Sequence, residues 1–345
     1  MRNLFILFLA AIGIGLMFGC GGDDGGGGTG PTPVPDPRLV VEVHQDPGLA
    51  SVDHAVWDSI DAVTVALGTD NDYNAGVSTI ENLNTNLQAL RTASYLYIKA
   101  EWNDNSKNTR FNEFKSYYRN NINQWEVVDT TLYSNEDRFY FLFDNGGTNG
   151  ANCAALCHTT ANGSGRKFYG AAGDNADVWH WKAARTGLAG FAEDMLLTTT
   201  TIAADPQDAS NDSLYFRNWN FMGYPQFMHP DTLDYTGDAL LEGTYITFDN
   251  TLPWVQGLPN DSISLYVPGY YLNQLSGADG SRWDINVVQE HDGANWTVVF
   301  RRALNTGDGD DINLTSVDSI SISIAVGNNS GVKHWGAEPF YMVFE

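Results

Sequence analysis

A chain of 345 residues with 18 Lys and Arg against 42 Asp and Glu carries a formal net charge of −24. Such a field repels nucleic acid and anionic membrane surfaces and favours cations or basic partners. With 43% hydrophobic and 12% aromatic residues, the body has enough apolar side chain to bury a core, which excludes an acidic disordered tail.

The N-terminus reads as a processing signal. Arg2 is followed by an apolar run from Leu4 to Phe18, shorter than the roughly 20 residues a membrane-spanning helix needs and suited to the apolar core of a signal peptide. Gly19 and Cys20 at its end resemble the lipobox of bacterial lipoproteins, with Met17 where that motif usually has Leu. The resemblance implies lipidation of Cys20; the competing reading is an ordinary secretory signal with an incidental cysteine. Residues 21–38 (GGDDGGGGTGPTPVPDPR) pass from Gly-rich to Pro-rich, the composition of a tether. The expected division is a signal peptide over 1–19, a lipidated Cys20 and tether over 20–38, and one body over 39–345. That body is expected to be exported and anchored by lipid alone in the bacterial cell envelope, at the periplasmic or outer-membrane surface.

Within the body, short runs rich in Val, Ile, Tyr, Phe and Trp recur between Gly, Asn and Asp. They are Leu39–Val43, Val63–Leu67, Tyr95–Trp102, Arg138–Phe143, Thr244–Phe248, Ser262–Val267, Trp296–Phe300, Ser319–Val326 and Phe340–Phe344, each with the signature of a half-buried strand. Helical periodicity is scarce; Ser78–Ala93, Arg110–Arg119 and Trp179–Thr186 are the candidates for a few helical turns. The pattern predicts an all-β sandwich with a few short helices. It also predicts a long irregular excursion over Asn145–Asn260, whose length marks it as functional.

Cys153-Ala154-Ala155-Leu156-Cys157-His158 lies in that excursion. With Cys20 acylated, these are the remaining cysteines, and outside the cytoplasm thiols are normally oxidised. Covalent haem attachment needs two thiols for the vinyl groups and an imidazole placed to reach the iron, usually as Cys-x-x-Cys-His. Here one extra residue separates the cysteines, while the Cys157-His158 adjacency is kept. Three other readings compete. A Cys153–Cys157 disulfide would close a very short loop and give no reason for His158. Zinc would need two further ligands, and there is no second cysteine pair. Free thiols do not suit an oxidising compartment. Ala154, Ala155 and Leu156 allow close approach of a porphyrin, and the glycines at 146, 147, 150, 163 and 165 let the backbone wrap a flat ligand.

Six segments in order resemble the haem-binding domain of the ethylbenzene dehydrogenase gamma-subunit family, also described as the cytochrome c-552/DMSO reductase-like haem-binding domain. They are VDHAVWDSIDAVTVALG (52–68), YLYIKAEWNDNSKN (95–108), EDRFYFLFD (136–144), DVWHWKAARTG (177–187), WTVVFRRALNTGDGDD (296–311) and SISIAVGNNSGVKHWG (321–336). The resemblance implies an immunoglobulin-like, DOMON-like β-sandwich with haem at one end. It implies one haem c on Cys153 and Cys157, His158 as the proximal iron ligand, and a distal ligand at Lys333 or His334. A neutral imidazole ligates iron more readily than an ammonium that must first lose its proton, so His334 is preferred. The stretches 188–260 and around 106–131 are longer than in a typical member, and the family does not explain them.

Other residues compete for roles at the haem. His180, between Trp179 and Trp181, is an alternative sixth ligand, with either Trp stacked on the porphyrin edge; the bland reading is a packed aromatic cluster. Met228, beside His229, is a further alternative. Lys182 and Arg185 are natural partners for haem propionates, or equally for Asp174 and Asp177. His44, His54 and His291 are expected at the surface. The Asp-rich turn Thr306–Asp311 suggests a structural calcium.

Two nitrogen ligands leave no open iron position, so the expectation is a monohaem electron-transfer lipoprotein and not an enzyme. The resemblance suggests a redox partner, either a molybdenum oxidoreductase or another cytochrome. The alternative is a carbohydrate- or ligand-binding β-sandwich lipoprotein with a Cys153–Cys157 disulfide and no haem. The sequence shows no Ser-His-Asp arrangement, no phosphate-cradling glycine loop and no His-Glu-x-x-His motif, the motifs that would argue for catalysis.

Overall fold

The computed structural model describes residues 37–48, 51–68, 83–109, 111, 114–119, 122–127, 135–145, 175–198, 202–204, 215–218, 225–228, 246–247, 252–253, 266–272, 281–309, 311–329 and 334–345. The signal peptide, Cys20, the tether up to residue 36 and the Cys153–His158 motif lie outside them.

The main strands are β1 (Arg38–Val43), β2 (Val63–Ala66), β3 (Asn84–Arg91), β4 (Tyr95–Asn103), β5 (Arg138–Asp144), β6 (Asn175–Lys182), β7 (Phe191–Thr198), β8 (Ile285–His291), β9 (Asn295–Ala303), β10 (Ser319–Gly327) and β11 (Phe340–Phe344). Strand alternation sends successive side chains to opposite faces, and the apolar residues follow it. In β5, Phe139, Phe141 and Phe143 enter the main core, while Tyr140 and Leu142 join a smaller cluster on the other face with Ala176, Val178, Leu197 and Ala325. In β6, Trp179 and Trp181 go inward, and Ala176 and Val178 go outward.

The sheet runs β1-β11-β10-β5-β6-β7-β8-β9-β4-β3 and then returns to β1. Closure depends on β1, whose Arg38–Val41 pair in parallel with Tyr341–Phe344 of β11 and whose Val41–Val43 pair in parallel with Ala89–Arg91 of β3. The other half of that β3 edge, Asn84–Leu87, pairs with β2. The result is a ten-stranded, barrel-like ring, and closing it removes the unpaired edges that an open sheet presents. Aromatic side chains fill it from opposite walls. The Trp102 ring of β4 lies 5.0 Å from Phe139 of β5, and Trp296 of β9 lies 5.1 Å from Trp181 of β6. Such edge and tilted contacts add about 0.5–1.5 kcal/mol each beyond the burial of their area.

The strands expected at Leu39–Val43, Val63–Leu67, Tyr95–Trp102, Arg138–Phe143, Trp296–Phe300, Ser319–Val326 and Phe340–Phe344 are found, within three residues at their ends. The three helical candidates are corrected. Ser78–Ala93 contains β3, Trp179–Thr186 begins inside β6, and Arg110–Arg119 contains a strand, Phe114–Arg119, paired with Ile122–Val127. Among the described residues, helix is limited to short 3-10 turns at Ala55–Ser59, Gly187–Ala189 and Ser281–Trp283. None is long and apolar enough to cross a membrane.

The irregular excursion is corrected in part. β6 and β7 fall inside it and occupy the middle of the ring. Their sequences hide this because Asp177, Lys182, Glu193 and Asp194 interrupt the apolar pattern, yet all four are buried, at 1–3% exposure.

Candidate functional site

The outward face of β5, β6 and β7 is covered, and two histidines meet there. His180 of β6 pairs in register with Tyr140 of β5, and its ring stacks on the tyrosine ring at 4.1 Å and 25°. His334 arrives from the far end of the chain. It stands next to Trp335, which pairs with Val326 of β10, and its ring lies 5.5 Å from the same tyrosine. Both histidines are 2% exposed. Residues 140, 180 and 334, remote in sequence, therefore form one cluster.

Beside it lies a cavity of about 420 Å³. His180 and Met195 line one part of its wall, and Arg138, Lys182, Arg185 and Arg282 line another. Two buried glutamates hold these cations. Glu136 accepts from Arg185 Nε at 2.7 Å and forms ion pairs with Arg185 Nη2 at 2.5 Å and Arg138 Nη2 at 3.3 Å. It also accepts from the backbone N–H groups of Ala184 and Arg185, each at 3.1 Å. Burial pushes its pKa up, but the Arg185 and Arg138 guanidiniums outweigh burial and hold the carboxyl below its ordinary range. Glu193 receives Lys182 and Arg282, and Lys182 Nζ reaches the Tyr215 hydroxyl at 3.0 Å. Burial, with Arg185 and Arg138 nearby, drives the Lys182 ammonium well below its usual pKa. The Arg185 guanidinium lies over the rings of Phe111 at 4.1 Å and Tyr215 at 4.6 Å.

Three guanidiniums against two carboxylates leave this wall positive whatever the charge on Lys182, in a chain of net charge −24. Imidazole nitrogens beside guanidinium and ammonium groups suit an anionic ligand with a metal centre. The imidazoles ligate the metal, and the cations pair with carboxylates.

The residues singled out from sequence divide clearly. His180, Lys182, Arg185 and His334 share this face or line its cavity. Trp179 and Trp181 do not. Alternation turns them into the core at 0% exposure, Trp179 against Phe143 at 4.7 Å and Trp181 against Trp102 at 5.6 Å. A porphyrin-edge role beside His180 is closed to them, since they point away from it. Asp177, expected as a partner of Lys182 or Arg185, also faces inward and binds Arg302. Met228 lies in a two-residue strand, Phe227–Met228, paired with Leu252–Pro253. Cys153, Cys157, His158, Asp174, His229 and Lys333 fall outside the described residues. His44, His54 and His291 are half-buried, and His291 Nε2 lies 2.9 Å from the Asp104 carbonyl.

Sequence reasoning missed Tyr140, Glu136, Glu193, Arg138 and Arg282. The available signal was a charged residue inside a strand-like run, as with Arg138 and Glu193. Burial in such a place requires a partner of opposite charge.

The family model for ethylbenzene dehydrogenase matches residues 54–338. No curated protein matches the sequence significantly. Among solved structures, a candidate carbohydrate-binding protein from Bacteroides uniformis aligns with 8% identity and a TM-score of 0.34, over 89% of this chain and 99% of its own. A likeness that low carries no argument about fold or ligand.

Proposed function

The chain belongs to the ethylbenzene dehydrogenase family, and on that premise we propose that it is a haem-carrying electron-transfer protein serving a separate oxidoreductase. The observation that carries the reading is the pair of buried histidines on Tyr140, next to a cavity walled by Arg138, Lys182, Arg185 and Arg282. The donor set fits haem, with imidazole for the iron and cations for the propionates.

Cys153 and Cys157 would hold the group covalently, with His158 as proximal ligand. His334 is the preferred distal ligand, ahead of Lys333, His180 and Met228. Haem ligated on both faces supplies a one-electron carrier without an open iron position. Tyr140 orients the two imidazoles, His180 by stacking and His334 by a tilted ring contact. Glu136 and Glu193 keep the four cations in place when the ligand carboxylates are absent, and β5–β7 exclude water from the inner side. No catalytic step is assigned to this chain.

The direct contacts between opposite walls of the ring, Trp102 to Phe139 above all, support reading it as a flattened, sandwich-like body of the DOMON kind. The sequence supports export and a lipid anchor at Cys20. A molybdenum oxidoreductase or another cytochrome is the proposed partner.

The test is haem staining after denaturing electrophoresis, with a pyridine haemochrome spectrum, on protein exported from cells that mature c-type cytochromes. One covalent haem per chain is expected. His334→Ala should keep haem attached and change its spin state, whereas His180→Ala should leave it low-spin; the opposite pattern would move the distal ligand to His180. Absence of covalent haem would sink the reading and leave the alternative of a ligand-binding lipoprotein. One surface feature favours that alternative: Phe216 is 37% exposed and stacks on Tyr271 at 5.5 Å, an aromatic pair of the sort that holds sugar rings.

A further inference from the structure

Inside the ring, at the end reached by the turn after β9, four carboxylates surround one guanidinium, and a fifth, Asp308, stands beside two of them. Asp177 comes from β6, Asp194 from β7, Asp284 from just before β8, and Asp308 and Asp311 from the turn. Arg302 of β9 is fully buried among them. It donates from Nη1 to Asp177 Oδ2 at 2.5 Å and from Nη2 to the Ile312 carbonyl at 3.2 Å, and its Nη2 lies 3.3 Å from Asp311 Oδ2. Ile312 N–H also donates to Asp177 Oδ2, at 3.2 Å.

These donors leave carboxylate oxygens over. Asp177 and Asp194 are each 2% exposed, yet Asp177 Oδ1 and Asp194 Oδ2 find no hydrogen-bond donor among the described residues. Asp194 Oδ2 is 4.0 Å from Arg302 Nη1, beyond hydrogen-bond reach. Asp284 Oδ1 is buried without a donor as well. A buried carboxylate oxygen without a partner is costly, and a single arginine cannot answer five carboxylates. Ligand atoms of Asp177, Asp194 and Asp311 lie within 4.8 Å of one another, as do those of Asp284, Asp308 and Asp311, so the two groups share Asp311.

We propose that this end of the ring binds a divalent cation of the calcium class through Asp177, Asp194 and Asp311, with Asp284 and Asp308 completing its surroundings. Oxygen-only donors select a hard cation, and ligands from several strands and a turn tolerate the irregular six-to-eight-fold coordination of calcium better than the strict octahedron of magnesium. The turn alone drew attention in the sequence, but the structure supplies its counterparts from β6 and β7. The site would tie the turn after β9 to the middle of the sheet. It is on the face of β6 and β7 opposite to the histidines, so it does not depend on the haem reading.

The experiment is calorimetric titration of the chelator-treated full chain with calcium chloride, together with its thermal transition with and without calcium. Saturable binding of one ion, with a higher transition temperature, is expected. Asp194→Asn and Asp311→Asn should each weaken binding by about tenfold or more. Asp308→Asn, in the turn and half-buried, guards against misfolding and should weaken binding while the transition without calcium stays in place. Absence of calcium binding by the natural chain overturns the proposal. Affinity in Asp194→Asn and Asp311→Asn equal to that of the natural chain also overturns it, because the ion would then sit elsewhere on an acidic surface. Tighter binding of magnesium than of calcium overturns the assignment of class.

Discussion

Glu193 and Asp194 are neighbours on β7, equally buried at 1% and 2% exposure, and they live in opposite electrostatic worlds. Alternation sends Glu193 outward to Lys182 and Arg282, in a cluster where cations outnumber acids. It sends Asp194 inward to Asp177, Asp284 and Asp311, where acids outnumber the lone Arg302. Burial acts on both clusters in the same direction, raising carboxyl pKa values, and the neighbours decide the outcome. Glu136, on the cationic side, ends below its ordinary range because Arg185 and Arg138 outweigh burial. Asp194 ends well above its own because Asp177 adds to burial and Arg302 does not offset the pair. Burial alone therefore says little about a charged residue; the sign of what surrounds it says more.

The largest expected effect breaks the acidic side. Arg302→Leu removes the one cation buried there among the described residues and should destabilise the fold by about 3–5 kcal/mol, read as a shift in the urea midpoint. An unchanged midpoint would mean that the carboxylates do not need the guanidinium.

The next pair of substitutions sharpens the contrast on adjacent residues. Glu193→Gln removes the carboxylate that Lys182 and Arg282 share and should cost about 3 kcal/mol. Asp194→Asn relieves repulsion and, in chelator, should leave stability unchanged or raise it. Equal losses from both would dissolve the comparison.

The last effect is on pH dependence. Burial, with Asp311 and Asp177 nearby, pushes Asp284 up to about 8 against the pull of Arg302. In the unfolded chain this carboxyl releases its proton near 4, whereas the folded protein keeps it until about 8. The unfolded state thus binds fewer protons between those values, and stability falls as pH rises through that window. In chelator, Asp284→Asn should flatten the slope of urea midpoint against pH between about 4 and 8. A slope unchanged from the natural chain would remove Asp284 from the cluster.

Much of the sheet was legible, because half-buried strands advertise themselves by period. Arg138–Phe143 reads directly as β5, and Ser319–Val326 as β10. β6 and β7 were not legible, since DVWHWK and FAEDMLLT place ionisable side chains where a buried strand usually has apolar ones. Trp179 and Trp181 were noticed for their proximity to His180. Yet adjacency in a strand separates side chains, and the two indoles went to the core. Lys182 and Arg185, read as partners of haem propionates, line the cavity, and the partners the structure gives them are Glu193 and Glu136, which no spacing rule connects to them.

The sequence by itself determined a β protein with an acidic surface, and it named His180, His334, Lys182 and Arg185 as residues of chemical interest. Those inferences rest on local pattern and side-chain chemistry. Only the tertiary structure decided that β1 closes the sheet into a ring, that His180 and His334 share the ring of Tyr140, and that neighbours on one strand serve clusters of opposite charge. The reason is that period is a local property, whereas register is not. Tyr140 meets His180 through the β5–β6 pairing and reaches His334 through β10, and such long-range pairings are set by how the whole core packs.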